Sequence, residues 1–203
     1  FLAIVGLSGI VWAHHMFTSG MANYLHAPFM ALTEAISIPT GVVFLAALGT
    51  MWRGKLWFTT PMILATAWVF NFMIGGLTGI FLGALATDVH LTDSYFVVAH
   101  FHYVMVGGTI MGFVGGMHYW FPKVTGRMYC EKMGFWSWLM IIIGFNLTFF
   151  PQFIAGSQGM PRRYWSQLPE FDLYNRLSTY GSWFLAIGFV MVAMNMIRSA
   201  KKG

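Results

Sequence analysis

Charge is what this sequence has least of. Only 8% of its 203 residues are charged, and six are acidic, where an ordinary soluble domain carries about 25% charged residues. Such a chain cannot clothe itself in a water-compatible surface, which excludes a freely soluble globular domain. Cysteine is reduced to Cys130 alone, so no internal disulfide framework exists. Internal repeats and low-complexity tracts are also missing. The start at Phe1 has neither Met nor a charged n-region, so it is no signal peptide and reads as a stretch of a longer or split polypeptide. The net charge of +5 does not point to nucleic acid. Lys and Arg stand singly or in pairs between apolar runs, the pattern of membrane-flanking anchors.

What is present is apolar: 58% hydrophobic and 18% aromatic residues, with a mean hydropathy of +0.67. A spanning helix needs roughly 20 apolar residues. Apolar runs between breakers predict a partial span at 1–12 and full spans near 28–50, 57–84, 93–121, 133–155 and 177–198. Gly54, Pro122 and the stretch Gly156–Pro161 mark breaks, and 157–176 is the longest loop. Pro39 and Pro61 fall inside spans, where neighbouring helices re-satisfy the freed carbonyls. The predicted fold class is an all-α polytopic transmembrane helix bundle, one membrane domain over 1–203. The sixteen Met and nine Trp read as lipid-facing and interface residues.

Assigning loops alternately to two sides places Arg53, Lys55, Lys123, Arg127, Lys132, Arg198, Lys201 and Lys202 on one and Arg162, Arg163 and Arg176 on the other. That bias predicts an inner, cytoplasmic or matrix-facing C-terminus. The outer side also holds Asp88, Asp93, Glu170 and Asp172. The Arg162–Arg163 pair sits where the rule disfavours it and asks for a reason.

Ionisable or metal-binding side chains inside a span are costly and read as functional by default. Four of the seven histidines come in two groups, His14–His15 and His100–Phe101–His102. Residues two apart on an α-helix point roughly 200° apart. His100 and His102 therefore face opposite sides of one helix and can offer an axial nitrogen to two separate cofactors; neutral imidazole is a haem axial ligand. The bland reading is a pair of histidines satisfied by neighbouring carbonyls. His14 and His15 lie about 100° apart if helical, close enough for one metal if the backbone unwinds, and imidazole suits copper, iron and zinc alike. Both groups fall towards the outer face. Phe101, between the two histidines, packs near their rings or is aromatic filler.

At this point the residues resemble a family. "VWAHHMFTSGM" at 11–21 is similar to the copper-ligand segment of the large subunit of haem–copper oxidases, and "DSYFVVAHFHYVM" at 93–105 to its haem-ligating helix. "IPTGV" at 38–42 and "GMPRRY" at 159–164 match two more segments in order. The resemblance implies that His14 and His15 ligate copper. It makes His100 the ligand of the high-spin, oxygen-reducing haem and His102 one axial ligand of the low-spin haem, both a-type. It also implies that Arg162 and Arg163 bind haem propionates and that Asp93 serves an outer magnesium or manganese site. The implied activity is reduction of oxygen to water with electrons from cytochrome c, coupled to proton translocation, in a bacterial cell membrane or mitochondrial inner membrane. A quinol oxidase, a nitric oxide reductase, a transporter or a non-catalytic fragment are the rivals.

The resemblance also defines what is missing and what differs. The third copper histidine with its tyrosine, and the second axial ligand of the low-spin haem, belong to earlier helices. The implied partners are therefore the N-terminal part of the same subunit or a separate chain carrying it, oxidase subunits II and III, cytochrome c and membrane lipid. Val43 stands where many relatives have a proton-uptake lysine; a polar stripe of Thr33, Glu34, Ser37 and Thr40 is the candidate replacement, or Glu34 occupies a polar pocket. Thr92 stands where a His flanks the metal-binding Asp, with His90 two residues earlier. His26 and His118 are expected in core or interfacial roles.

Overall fold

A computed structural model describes residues 1–202, apart from the side chain of Lys202, which lies outside the described set although it was counted among the inner cations. Among the described residues the chain is helical, without a strand. Five helices are long and apolar enough to cross a membrane: Asn23–Met51, Thr60–Gly83, Tyr95–Thr125, Glu131–Ser157 and Pro169–Lys201. The shorter apolar helix Leu2–Met16 precedes them. The protein is an all-α, multi-pass membrane bundle, as the apolar runs predict.

Helix α1 (Leu2–Val11) tightens into a 3₁₀ turn at Trp12–Met16, which carries His14 and His15. The second span is two helices, α2 (Asn23–Ala35) and α3 (Ser37–Met51), meeting at Ile36. The break explains Pro39: it lies in the first turn of α3, where its missing N–H has no intrahelical acceptor to lose. Pro61 likewise occupies the first turn of α4 (Thr60–Gly83), not a helix interior.

A short helix α5 (Leu85–Leu91) leads to the His-bearing span. That span has three parts: α6 (Tyr95–Val104), a π-helical turn at Met105–Ile110, and α7 (Met111–Thr125). Pro122 does not end it, contrary to expectation. Gly126 does, at φ 69°, in the left-handed conformation that suits glycine just past a helix. Helix α8 runs Glu131–Ser157, and α9 starts at Asp172 after a 3₁₀ turn at Pro169–Phe171. The expected loop at 157–176 is therefore shorter. Pro169 opens the turn and Glu170 and Asp172 place negative charge at the positive end of a helix dipole, so the chain begins its helix early.

Helix α8 is the hub: over half of its most apolar window is buried, against 6% for the α2–α3 span. Against α9 the backbones close on small residues. Gly144 faces the backbone of Gly181 and Leu185, and Gly188 faces that of Ser137 and Ile141, the close approach that small residues permit between membrane helices. Ser178 Oγ donates to the Thr148 carbonyl at 2.8 Å across the same seam. The core over α4, α6, α7, α8 and α9 is built from Leu64, Ala99, Tyr103, Met111, Phe145 and Val192 among others.

The end of the bundle that holds the start of α8 is tied by side chains. Thr60 donates from its backbone N–H (3.1 Å) and hydroxyl (2.5 Å) to Glu131 Oε2, so the carboxylate at the head of α8 answers an orphan donor at the head of α4. Asn195 of α9 exchanges two bonds with the Cys130 backbone. At the opposite end Tyr95 N–H donates to Met160 O and Arg162 N–H to Asp93 O, which fastens the α8–α9 connection beside the head of α6.

Candidate functional site

Helix α6 begins at Ser94, whose Oγ accepts from the Phe96 N–H at 3.2 Å, the capping bond that fixes a helix start. From there the rotation is set, and His100 and His102 point apart. His100 lies against α4: its Nδ1 is 3.0 Å from the Gly75 carbonyl and 3.1 Å from Thr78 Oγ1. His102 lies against α8, stacked on Phe149 with ring centroids 4.1 Å apart, and tilted to Phe101 at 4.4 Å. Phe101 thus packs on the His102 ring.

The hydrogen bonds assign the tautomers. A carbonyl only accepts, so Nδ1 of His100 is the protonated nitrogen and Nε2 carries the lone pair. The same holds for His102, whose Nδ1 donates to the Val98 carbonyl at 2.8 Å. Fixing one ring nitrogen as donor leaves the other as a ligand. One helix therefore presents two unprotonated Nε2 atoms in opposite directions, which fits two axially ligated haems.

The His14–His15 pair sits on the 3₁₀ turn Trp12–Met16, His14 half-buried and His15 exposed, with ring centroids 4.3 Å apart. Thr33 Oγ1 donates to the Phe29 carbonyl at 2.6 Å, so it accepts from His14 Nδ1 at 3.2 Å. That leaves the lone pair on His14 Nε2, and this atom faces Nε2 of His15 at 3.2 Å. Two ligand atoms of one metal with bonds of about 2.0–2.1 Å keep about that separation. Two facing nitrogens, one already carrying a lone pair, call for a cation or a proton between them. The donor set fits a single imidazole-binding metal such as copper. His14 and His15 neighbour His100, whereas His102 faces α8. Among the described residues no three His, Cys, Asp or Glu side chains gather as a metal cluster, so this chain contributes a pair.

Beside the head of α6, Asp93 and Arg163 both adopt left-handed backbone, φ 55° and 62°, a conformation Asp tolerates better than most residues. Arg162 reaches Asp93 Oδ1 through Nη2 (2.6 Å) and Nε (2.7 Å), and Arg163 Nη1 stands 3.9 Å from the same oxygen. The residues expected at propionates and at an outer metal are thus gathered into one cluster, with Asp93 Oδ1 engaged by arginine. Nearby Asp88 is buried on α5. Burial first, then the charge of Asp93, pushes its carboxyl up from 3.8 to about 6. His90 is exposed.

The remaining expected residues divide. Of the polar stripe, Thr33 holds His14. Ser37 and Thr40 donate to carbonyls of their own chain, Glu34 and Ile36. His118 is wholly buried, its Nδ1–H on the Val114 carbonyl and its ring edge-on to Tyr129, a core position as expected. His26 packs edge-on to Phe17.

What the sequence reading passed over is α4. Gly75, Gly79 and Gly83 repeat every fourth residue and line one face. A Cβ on Gly75 would lie 2.9 Å from Val104 N, one on Gly79 2.9 Å from His100 Cε1, and one on Gly83 2.7 Å from Glu34 Oε1. The small-xxx-small spacing was the available signal.

Comparison with known proteins follows the same line. The family model described as cytochrome c and quinol oxidase polypeptide I matches residues 1–184. Cytochrome c oxidase subunit 1 of Bacillus sp. (strain PS3) is 46% identical over 202 residues, covering 98% of this chain and 33% of that protein. The protein of the same name from Synechocystis sp. (strain ATCC 27184 / PCC 6803 / Kazusa) is 44% identical, covering 100% and 37%. Quinol oxidase subunit 1 of Bacillus subtilis (strain 168) is 42% identical, covering 98% and 31%. The chain spans about a third of the length of these relatives. A cryo-EM structure of a haem–copper terminal oxidase dimer superposes with a TM-score of 0.81 at 20% identity, over 95% of this chain and 40% of that one, a likeness of fold. On the family match and these identities, the chain belongs to the cytochrome c and quinol oxidase polypeptide I family.

Proposed function

We propose that this chain is the haem- and copper-carrying part of the catalytic subunit of a terminal respiratory oxidase, reducing oxygen to water with electrons from cytochrome c and coupled to proton translocation. The observation that carries the reading is that α6 aims unprotonated Nε2 atoms from its two sides while His14 and His15 converge on the side of His100. The family implies haem and copper, and when bound these supply the electron transfer and the oxygen chemistry. His100 holds the high-spin haem, His102 the low-spin haem, both a-type, and His14 with His15 the copper.

The chain's own work is to hold those imidazoles still. The Gly75 carbonyl keeps the His100 lone pair on Nε2, Thr33 does so for His14, and the apolar core excludes water, which strengthens electrostatic control of a site. Arg162 and Arg163 bind the haem propionates with their remaining donors, since planar guanidinium groups match carboxylates. That function accounts for arginines on the side that the membrane charge rule disfavours. Asp93 would serve an outer magnesium or manganese.

The rest of the subunit, or a separate chain carrying it, completes the copper and low-spin sites. Subunits II and III and cytochrome c are the further partners. The location is a bacterial cell membrane or mitochondrial inner membrane, with the C-terminus inside. A reduced-minus-oxidised spectrum of the purified complex should give one low-spin and one high-spin haem, and His102→Ala should abolish the low-spin signal alone; a featureless trace overturns the reading. The quinol oxidase relatives carry a second reading that differs only in donor. Oxygen uptake driven by reduced cytochrome c against quinol separates the two.

A further inference from the structure

The structure holds a polar chain deep in the span that the site does not use. Tyr103, wholly buried, stands edge-on to Phe145 at 4.7 Å and tilted to Phe153 at 5.2 Å. Its hydroxyl donates to Asn146 Oδ1 on α8 at 2.8 Å. Asn146 Nδ2 donates to its own helix at the Ile142 carbonyl (2.9 Å) and reaches Asn71 Oδ1 on α4 at 3.5 Å. Asn71 Nδ2 in turn reaches Met111 Sδ of α7 at 3.3 Å. The chain runs α6 to α8 to α4 to α7 among apolar side chains. Uncompensated polar groups there are expensive, and those retained ask for a purpose.

Geometry supplies the purpose. His102 orients its ring by bonding Val98 of its own helix, so that bond fixes the ring relative to α6 but not to the rest of the bundle. Outside α6, His102 meets the stacked Phe149 ring, and apolar packing has little directional preference. Tyr103 is the next residue, and its O–H is a directional bond to a different helix. A side-chain tip stands about 5–6 Å from the helix axis, so a rotation of about 10° carries it about 1 Å. Directly below, Gly107 of the π-helical turn lies against Asn71 Cβ, where its own Cβ would come within 2.8 Å. The clasp therefore sits where α6 stops being a regular α-helix and most needs an external reference.

We propose that Asn146, braced by Asn71, is a positioning residue that acts through the Tyr103 hydroxyl to fix the bearing of the His102 imidazole. The inference rests on the reading of His102 as a haem ligand. The test uses the complete oxidase with Tyr103→Phe, which keeps the ring and removes one oxygen, and Asn146→Leu. Each should carry normal haem content yet shift the low-spin α-band and its low-temperature EPR g values, while the high-spin signals stay put because the Gly75 carbonyl holds His100 independently. The double variant should be no less stable than Asn146→Leu alone, since the Tyr103 hydroxyl left unpartnered there is gone, and still show the shifted spectrum. A role in stability alone would lower the melting temperature of the single variants with an unchanged band and g values, and that result overturns the inference. An unaltered oxidase with no six-coordinate haem overturns the reading of His102 and this inference together.

Discussion

Thr33 illustrates how a residue one shell away decides what a ligand can do. Its hydroxyl gives its proton to the Phe29 carbonyl and so has only a lone pair to offer His14 Nδ1. Thr33→Val keeps the shape and removes that acceptor, which frees the ring to turn and to change tautomer. Loss of such outer partners costs about 10–100-fold in metal affinity. Copper per haem after a chelator challenge should fall in Thr33→Val while both haem signals persist; copper as firmly held as in the parent protein counts against this role. Asp88 gives a second prediction at the same scale. With its carboxyl pushed up to about 6, the folded state prefers the protonated form. Stability is therefore lost as pH rises from the unfolded value of 3.8 through about 6, and the loss is complete above that. Asp88→Asn should raise the melting temperature at pH 8 and leave it unchanged near pH 4. An equal effect at both values removes the argument.

Among the elements, α4 matters more than its composition announces. Gly79 leaves room for the edge of the His100 ring, and a methyl group there would stand 2.9 Å from Cε1. Gly79→Ala should displace His100 and diminish the high-spin haem signal while sparing the low-spin one, because His102 faces α8. Equal loss of both signals would mean that the bundle, not the ring, was disturbed. The His-x-His spacing was legible because helical rotation is a local property and turns sequence into bearing without knowledge of neighbours. Span existence was legible for the same reason. The Asp93–Arg162 bond was not: its partners are 69 residues apart, and sequence reading sent each to a different ligand. The π-helical turn at Met105–Ile110 and the early start of α9 were missed because apolar runs report where a helix is comfortable in lipid, not how it is wound or capped. Gly75, Gly79 and Gly83 were visible as a repeat and went unread, since glycine in a span looks like a weakness until the facing helix is known.

For the whole molecule, the expected orientation rests on where the basic residues of the short loops lie. The three arginines expected at the outer end are all matched by carboxylates: Arg162 and Arg163 by Asp93, and Arg176 by Asp172 at 2.8 Å. Asp88 and Glu170 add further negative charge there. At the other end Arg53, Lys55, Lys123, Lys132, Arg198 and Lys201 have no ion pair among the described residues, while the one acid of that end, Glu131, is engaged by Thr60 and Tyr129. Arg127 joins them, spending a donor on the Ala200 carbonyl, which draws the α7–α8 loop against the end of α9. Topology follows basic residues in short loops, and acids contribute little to it. A protease-cleavable tag at the C-terminus should be cut in inside-out vesicles and protected in right-side-out ones. Replacing Arg53, Lys55, Lys123, Arg127 and Lys132 with Gln should erode that protection before Arg176→Gln has any effect. Cleavage in right-side-out vesicles of the unaltered protein would invert the whole assignment, and with it the placing of His14, His15 and His100 towards the outer face.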